Sequence, residues 1–236
     1  IMVKISGNQA VTEADGIISD IDREMDKRIE DVYFHGQSMI IVREIENSNK
    51  KFENLTDLQI YINQQDQIWI SSKEDEITPF MSEILNNDGS KRLEQIQGFY
   101  KTDRNYDVYS EIFVTNKYGV VVSTTDKTSD YRQDDELWWQ KTKSEEIYVS
   151  ELSYDESSKT WGLDLASKIV NANGEFIGVI TEVLNFKEIE HIIEHSQDYL
   201  IDNDTNNSRP EIKIIDDAGK VIYQSKNIVY KTDSIS

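Results

Sequence analysis

Residues 111–186 read EIFVTNKYGVVVSTTDKTSDYRQDDELWWQKTKSEEIYVSELSYDESSKTWGLDLASKIVNANGEFIGVITEVLNF, and their order decides the fold. Apolar, β-branched runs flank Lys117-Tyr118-Gly119, and a second pair flanks Asn171-Ala172-Asn173-Gly174. Glycine and asparagine accept the backbone angles of a tight reversal, so each pair predicts a hairpin. Between the hairpins lies the aromatic-acid cluster DYRQDDELWW, residues 130–139, with room for a short helix. The expected result is an antiparallel sheet of about five strands with one face free to cover a pocket. Tyr131, Trp138, Trp139, Tyr154 and Trp161 crowd the connecting segments rather than alternating through a strand. Rigid rings in loops beside a sheet suit a small-molecule pocket.

Upstream of this core the period is helical. Ile18, Ile21, Met25, Ile29 and Val32 recur at steps of three and four, which places one apolar stripe along a helix. The stripe continues less cleanly through Met39, Val42 and Ile45. A single helix of about 40 residues would be roughly 60 Å long. That is more than one small module buries, so it should run past two modules or pair with a partner chain. Two helices broken near Gly36 are the alternative. Thr78-Pro79 offers an N-cap and a first-turn proline, and Ser90 precedes the helical pattern KRLEQIQGFY.

Downstream, KEIEHIIEHS (187–196) predicts a short helix, and the polar segment QDYLIDNDTNNSRP (197–210) reads as a linker. IKIIDDAGKVIYQS (212–225) then aligns without gaps on IFVTNKYGVVVSTT (112–125), with Gly219 matching Gly119. The match predicts the start of a second, unfinished module of the same type, against the alternative of chance similarity between common hairpins.

Composition narrows the partners. The 236 residues carry 45 acidic and 25 basic side chains, a formal charge of −20, which disfavours nucleic acid and anionic lipid surfaces. No cysteine is present, so disulfide scaffolds and thiolate metal sites are excluded. No apolar run is long enough to span a bilayer. The start at Ile1 and the end in KTDSIS are expected to be cuts in a longer protein.

Taken together, the long N-terminal helix, the segments EIFVTNKYGVVVSTTDKTSDYRQDDELWW and YVSELSYDESSKTWGLDLASKIVNANGEFIGVITEVLNF, and the second hairpin resemble the double Cache sensor domain. The resemblance implies an α+β fold: a long N-terminal helix, a PAS-like module with a central antiparallel five-stranded sheet, and a second, incomplete PAS-like module. The expected boundaries are a signalling helix over 1–52, a membrane-distal ligand-binding module over 53–196, and a linker with the start of a membrane-proximal module over 197–236. It implies the extracytoplasmic part of a transmembrane receptor, a sensor histidine kinase or else a chemoreceptor, anchored by flanking helices absent here. A homodimer through the N-terminal helix is a further expectation, as is movement carried along that helix. Amino-acid-binding members have an arginine two positions before a Trp-Tyr pair and an aspartate after the last strand. Here those positions hold Glu136 and Val183, and the pair is Trp138-Trp139. Both charge partners of a zwitterion are missing, which argues against amino-acid ligands.

The expected ligand-binding residues are Tyr131, Arg132, Trp138, Trp139, Tyr154, Asp155 and Asp164. Arg132 is a candidate carboxylate clamp. Asp155 and Asp164 suit a polar or cationic ligand, with aromatic faces adding cation–π attraction. Against these stand ordinary readings: core packing for one tryptophan, a turn role for Asp155, and a solvent-facing Asp164. Trp138 and Trp139 are adjacent on one helix and must point apart.

No cofactor and no catalytic residues are expected. His191-Ile192-Ile193-Glu194-His195 matches the inverted zinc-peptidase pattern H-x-x-E-H, which needs a third ligand and a general base in a cleft; Glu188 and Glu190 are nearby, but the short remainder of the chain offers no cleft or downstream helix. His35 is isolated. A sensor is therefore weighed against a non-binding dimerisation module and, remotely, a zinc peptidase.

Overall fold

A computed structural model describes residues 2–3, 8–73, 76–155, 160–203, 212–215, 219 and 221–225. In chain order its elements are β1 (Met2–Val3), α1 (Asn8–Gly36), α2 (Met39–Glu53), α3 (Leu58–Ser71), α4 (Pro79–Leu85), α5 (Asp88–Arg104), β2 (Tyr109–Asn116), β3 (Val121–Thr124), α6 (Leu137–Glu145), β4 (Ile147–Val149), β5 (Ser153–Asp155), β6 (Thr160–Val170), β7 (Phe176–Asn185), α7 (Lys187–Asn203), β8 (Lys213–Ile215) and β9 (Val221–Gln224). The chain forms two compact units, Arg28–Phe186 and a smaller one made of Ile1–Lys27 with Lys187–Ser236.

The expected continuous helix over 1–52 is interrupted. Helix α1 stops at Gly36 and α2 starts at Met39, so the alternative of a break near Gly36 is what the chain adopts. Close packing accounts for glycine at the break, since a Cβ on Gly36 would lie 2.9 Å from Ile180 Cγ2. Thr78 caps α4 as its sequence suggests, its hydroxyl accepting from Met81 N at 3.2 Å with Pro79 in the first turn. Helix α5 begins earlier than the Ser90 signal implied. Asn87 is its cap, accepting from Ser90 N at 2.8 Å, because the Ser90 hydroxyl is buried and donates to Ile84 O at 2.6 Å.

The larger unit is built on one antiparallel sheet in the order β3-β2-β7-β6-β4, with β5 also paired to β6. The sixth strand has a simple origin. Strand β6 is 11 residues long, β4 pairs only with Leu165–Ser167, and β5 takes the remaining edge at Thr160–Gly162. On one face Ile112, Val114, Leu165, Ile169, Ile180 and Leu184 are buried, and α2 and α5 pack against β2. Helix α6 covers part of the other face, where Trp139, Ala166 and Val179 form a small core and Trp139 Nε1 donates to Thr115 Oγ1 at 2.9 Å. Beyond β3, Phe52, Trp69, Met81, Val121 and Tyr131 belong to a second apolar cluster that fastens α3 and α4.

A single glycine ties the first hairpin to the loop that follows it. Gly119 sits at φ +78°, and a Cβ there would meet Asp134 N at 2.7 Å. In the space thus left, Gln133 N donates to Gly119 O at 2.7 Å and Val121 N donates to Tyr131 O at 3.0 Å.

In the smaller unit β1, β8 and β9 form an antiparallel sheet in the order β1-β8-β9. Ile17, Ile21, Ile189, Ile193, Ile212 and Ile214 are buried, and Ser196 Oγ donates to Asp20 Oδ2 at 3.0 Å. Helix α7 runs to Asn203, past the expected end at Ser196, because no proline or glycine interrupts the chain there. The rest of the expected linker, residues 204–210, lies outside the described residues.

The sequence match between hairpins extends to their hydrogen bonds. Phe113 pairs with Thr124, Val114 with Ser123 and Thr115 with Val121 across a bulge; Lys213 pairs with Gln224, Ile214 with Tyr223 and Ile215 with Val221 across the same bulge. Gly119 and Gly219 share φ near +80°, at +78° and +82°. Ile112 N donates to Thr125 Oγ1 at 3.0 Å, and Ile212 N to Ser225 Oγ at 2.9 Å. Coincidence in register, bulge and terminal hydroxyl bond favours a structural repeat over chance.

Candidate functional site

Strand alternation sends Glu111 and Phe113 of β2, Thr181 and Val183 of β7, and Asp164 of β6 to the sheet face opposite α2 and α5. The register aligns them in two rows: Glu111, Val183 and Asp164 in one, Phe113, Thr181 and Ala166 in the next. A cavity of about 300 Å³ lies over these rows. Its remaining walls are Thr128, Ser129, Asp130, Gln133 and Glu136 of the loop after β3, and Trp138 of α6. Trp138 stands edge-on to Phe113, centroids 5.7 Å apart.

Helix α3 holds the loop in place. Trp69 Nε1 donates to Thr128 O at 2.8 Å, and Asp66 Oδ1 accepts from the backbone of Tyr131 and Arg132 at 3.1 and 3.0 Å. Lys127 Nζ donates to Ser72 O at 2.6 Å. Thr128 Oγ1 donates to Asp130 O at 2.6 Å, closing a tight turn within the loop.

Four carboxylates, Glu111, Asp130, Glu136 and Asp164, line this cavity, and among the described residues no basic side chain does. Burial pushes the Asp130 carboxyl above its ordinary value, with Asp66 and Asp135 adding to the shift and hydrogen bonds from Ser129 and Gln133 opposing it. Burial, then Asp130 and Asp135, raises Glu136. Thr181 is only 2% exposed, and its hydroxyl has no hydrogen-bond partner.

The raised carboxyls carry a sign. Above the ordinary values of 3.8 for Asp130 and 4.5 for Glu136, the folded chain still holds protons that an unfolded chain has released. Their contribution to stability therefore falls as pH rises through that window, and the cost remains above it. The Glu136→Gln variant removes one such carboxyl. Its melting temperature relative to wild type should be more favourable at about pH 7 than at about pH 3.5. Thermal melts across a buffer series measure this, and an unchanged difference at the two ends would contradict the strain.

Trp138 and Asp164 are the two anticipated site residues that line the cavity. Tyr131 is buried against Trp69 and Phe80, with centroids 5.8 and 5.0 Å away, and lines a separate cavity of about 130 Å³. Arg132 turns back on its own loop, its Nε on Asp134 Oδ1 at 2.6 Å and its Nη1 3.6 Å from Asp135, so the carboxylate-clamp expectation gives way to a local ion pair. Trp139 is committed to the core through Thr115. Tyr154 is 45% exposed and leans on Trp161, centroids 5.8 Å apart. Asp155 pairs through its backbone with Thr160, and its side chain lies outside the described residues.

Sequence reasoning missed Glu111, Phe113, Thr181 and the acids of the loop. Alternation in EIFVT offered a signal, since an acid in register with Phe113 on a buried strand needs a reason. Glu136 and Val183, the positions at which the amino-acid motif is absent, both line the cavity. On α7, His191, Glu194 and His195 form no metal cluster; among the described residues no group of three His, Asp or Glu is placed to hold an ion.

No protein-family model matches this chain, and no curated protein does. Solved structures do. The sensor domain of the V. cholerae histidine kinase DctB superposes with a TM-score of 0.50 at 14% identity, covering 78% of this chain and 58% of that one. The chain has the fold of that sensor domain. It spans 58% of the DctB sensor domain's length. The ligand-binding domain of the Campylobacter jejuni chemoreceptor Tlp3, solved with 4-methylisoleucine, matches at 14% identity and a TM-score of 0.41, over 87% of this chain and 71% of that one. Both the long N-terminal helix and the antiparallel sheet expected from the sequence are present. Among the described residues no helix is long and apolar enough to cross a membrane.

Proposed function

We propose that this chain is the small-molecule-sensing, extracytoplasmic part of a transmembrane receptor, with the cavity over β2, β7 and β6 as its ligand site. The observation that carries the reading is the cavity itself: a loop whose backbone is hydrogen-bonded to the Trp69 and Asp66 side chains of α3 roofs a sheet face lined with polar groups. At about 300 Å³ it falls at the small end of ligand pockets. The fold shared with a histidine-kinase sensor domain supports a kinase as the output, with a chemoreceptor as the alternative. In this reading Arg28–Phe186 is the membrane-distal module, the β8–β9 hairpin opens a membrane-proximal one, and α1 carries the signal, in a homodimer, towards flanking membrane helices. The segment binds and does not catalyse.

A thermal-shift panel of small metabolites on the purified chain tests this. A ligand at one hundred times its Kd should stabilise the fold by about 2.7 kcal/mol. That shift should disappear in Trp138→Ala. A panel with no stabilising compound, confirmed by calorimetry, would leave a dimerisation module as the better account.

A further inference from the structure

We propose that the cavity between α2, α4 and β3 is a second binding site, which takes a small uncharged ring compound carrying one hydroxyl group, bonded there to the hydroxyl of Tyr131. It lies on the other side of the loop that roofs the first cavity, and its chemistry does not depend on the reading of that one.

The walls set the size and the body of the guest. The cavity measures about 130 Å³, close to the roughly 150 Å³ that admits benzene in an apolar protein interior. Phe52 of α2, Tyr61 of α3, Phe80 and Ile84 of α4, and Val121 of β3 give it an aromatic and aliphatic surface. Tyr131 is a further wall, only 2% exposed, its ring centroid 5.0 Å from Phe80 and 5.8 Å from Trp69.

Hydrogen bonding identifies the contact. The Asn87 side chain is satisfied, donating to Val122 O at 2.7 Å and accepting from Ser90 N and Ser123 Oγ, each at 2.8 Å. Ser48 Oγ accepts from Asn116 Nδ2 at 3.0 Å. Among the described residues the Tyr131 hydroxyl has no hydrogen-bond partner, although buried polar side chains are nearly always bonded. Burial first, then Tyr61 and Glu83, pushes that hydroxyl above its ordinary value, so it remains a neutral donor and acceptor. Tyr61 and Glu83 both line the cavity, which places the hydroxyl end of Tyr131 towards it. Charge on a guest finds no free counterpart. Lys51 Nζ donates to Glu83 Oε1 at 2.8 Å, and Glu44 lies 3.6 Å from Arg43 Nη2, which also meets Asp88. Each charged wall therefore already has an opposite partner. A charged guest would break one of these pairs or leave water without compensation, and a neutral hydroxyl does neither.

Amide-resonance titration of the intact chain with benzyl alcohol, benzoate and benzylammonium, one ring in neutral, anionic and cationic form, tests this. Benzyl alcohol should bind saturably, and the two ions should bind at least about tenfold more weakly. Tyr131→Phe keeps the ring and removes the hydroxyl, and should weaken benzyl alcohol binding about fivefold to tenfold. Circular dichroism and melting temperature establish that the variant is folded. In the wild-type chain, independently of any variant, bound benzyl alcohol should slow hydrogen exchange at the Tyr131 and Arg132 amides that Asp66 holds. An ion that binds as tightly as the alcohol would overturn the proposal, and so would no binding by any of the three. Binding that survives Tyr131→Phe and is lost in Trp138→Ala would put the ring in the first cavity, overturning the second site and supporting the sensor reading. A metabolite that stabilises the chain through Trp138, with benzyl alcohol failing to bind, would leave that reading standing alone.

Discussion

Replacing Trp69 with alanine should cost about 3–5 kcal/mol of unfolding free energy, the range for truncating a fully buried tryptophan. Trp69 is 0% exposed, sits against Phe80 and Tyr131, and holds the cavity loop through its bond to Thr128 O. Two effects therefore travel together: a void in the cluster beyond β3 and release of the segment bearing Ser129 and Asp130. Phenylalanine separates them. Trp69→Phe keeps most of the packing and leaves Thr128 O without its donor, at a cost of about 1–3 kcal/mol. Urea unfolding of both variants gives the two numbers. An alanine variant within about 1 kcal/mol of wild type would mean that α3 does not support the loop.

His35→Ala is expected to cost about 3 kcal/mol, by stranding a buried acid. His35 Nδ1 lies 2.6 Å from Glu182 Oε1, the Glu182 side chain is fully buried, and its second oxygen has no partner. Around the pair are the rings of Tyr100 and Tyr109, both with hydroxyls pushed up chiefly by burial, and Arg28, whose guanidinium lies 4.9 Å from the Tyr100 ring. Glu182→Leu alone should cost less, and the double variant His35→Leu with Glu182→Leu should recover much of the loss, because it removes the charge together with its partner. A double-mutant cycle by denaturation reads the coupling. If the single and double losses simply add, the pair contributes nothing as a pair.

How far the chain could be read in advance depended on which interactions are local. Hairpins, their glycines and the Thr78 cap are written in neighbouring residues, and they form where the pattern places them. The repeat at 212–225 was legible for the same reason. The interruption of α1 depends on Gly36 fitting beneath Ile180, a contact 144 positions away in sequence (180 − 36), so periodicity left it open. Pocket residues were harder. Trp138 and Trp139 have the same local signal, and only Thr115 on a distant strand decides which one turns inward to the sheet. Arg132 looked available until Asp134, two residues along, took it. The cavity's acids are scattered over β2, β6 and the loop before α6, which no short motif collects.

Thr181 and Glu182 are neighbours on β7, yet one looks into the cavity and the other grips His35 at the end of α1. Consecutive side chains of a strand project to opposite sides and share one peptide plane between them. Any tilt of that plane that draws the threonine towards an arriving guest swings the glutamate the other way, with no intervening hinge or loop to absorb it. The sheet at this point is a seesaw one residue wide, and its far arm is fastened to the helix.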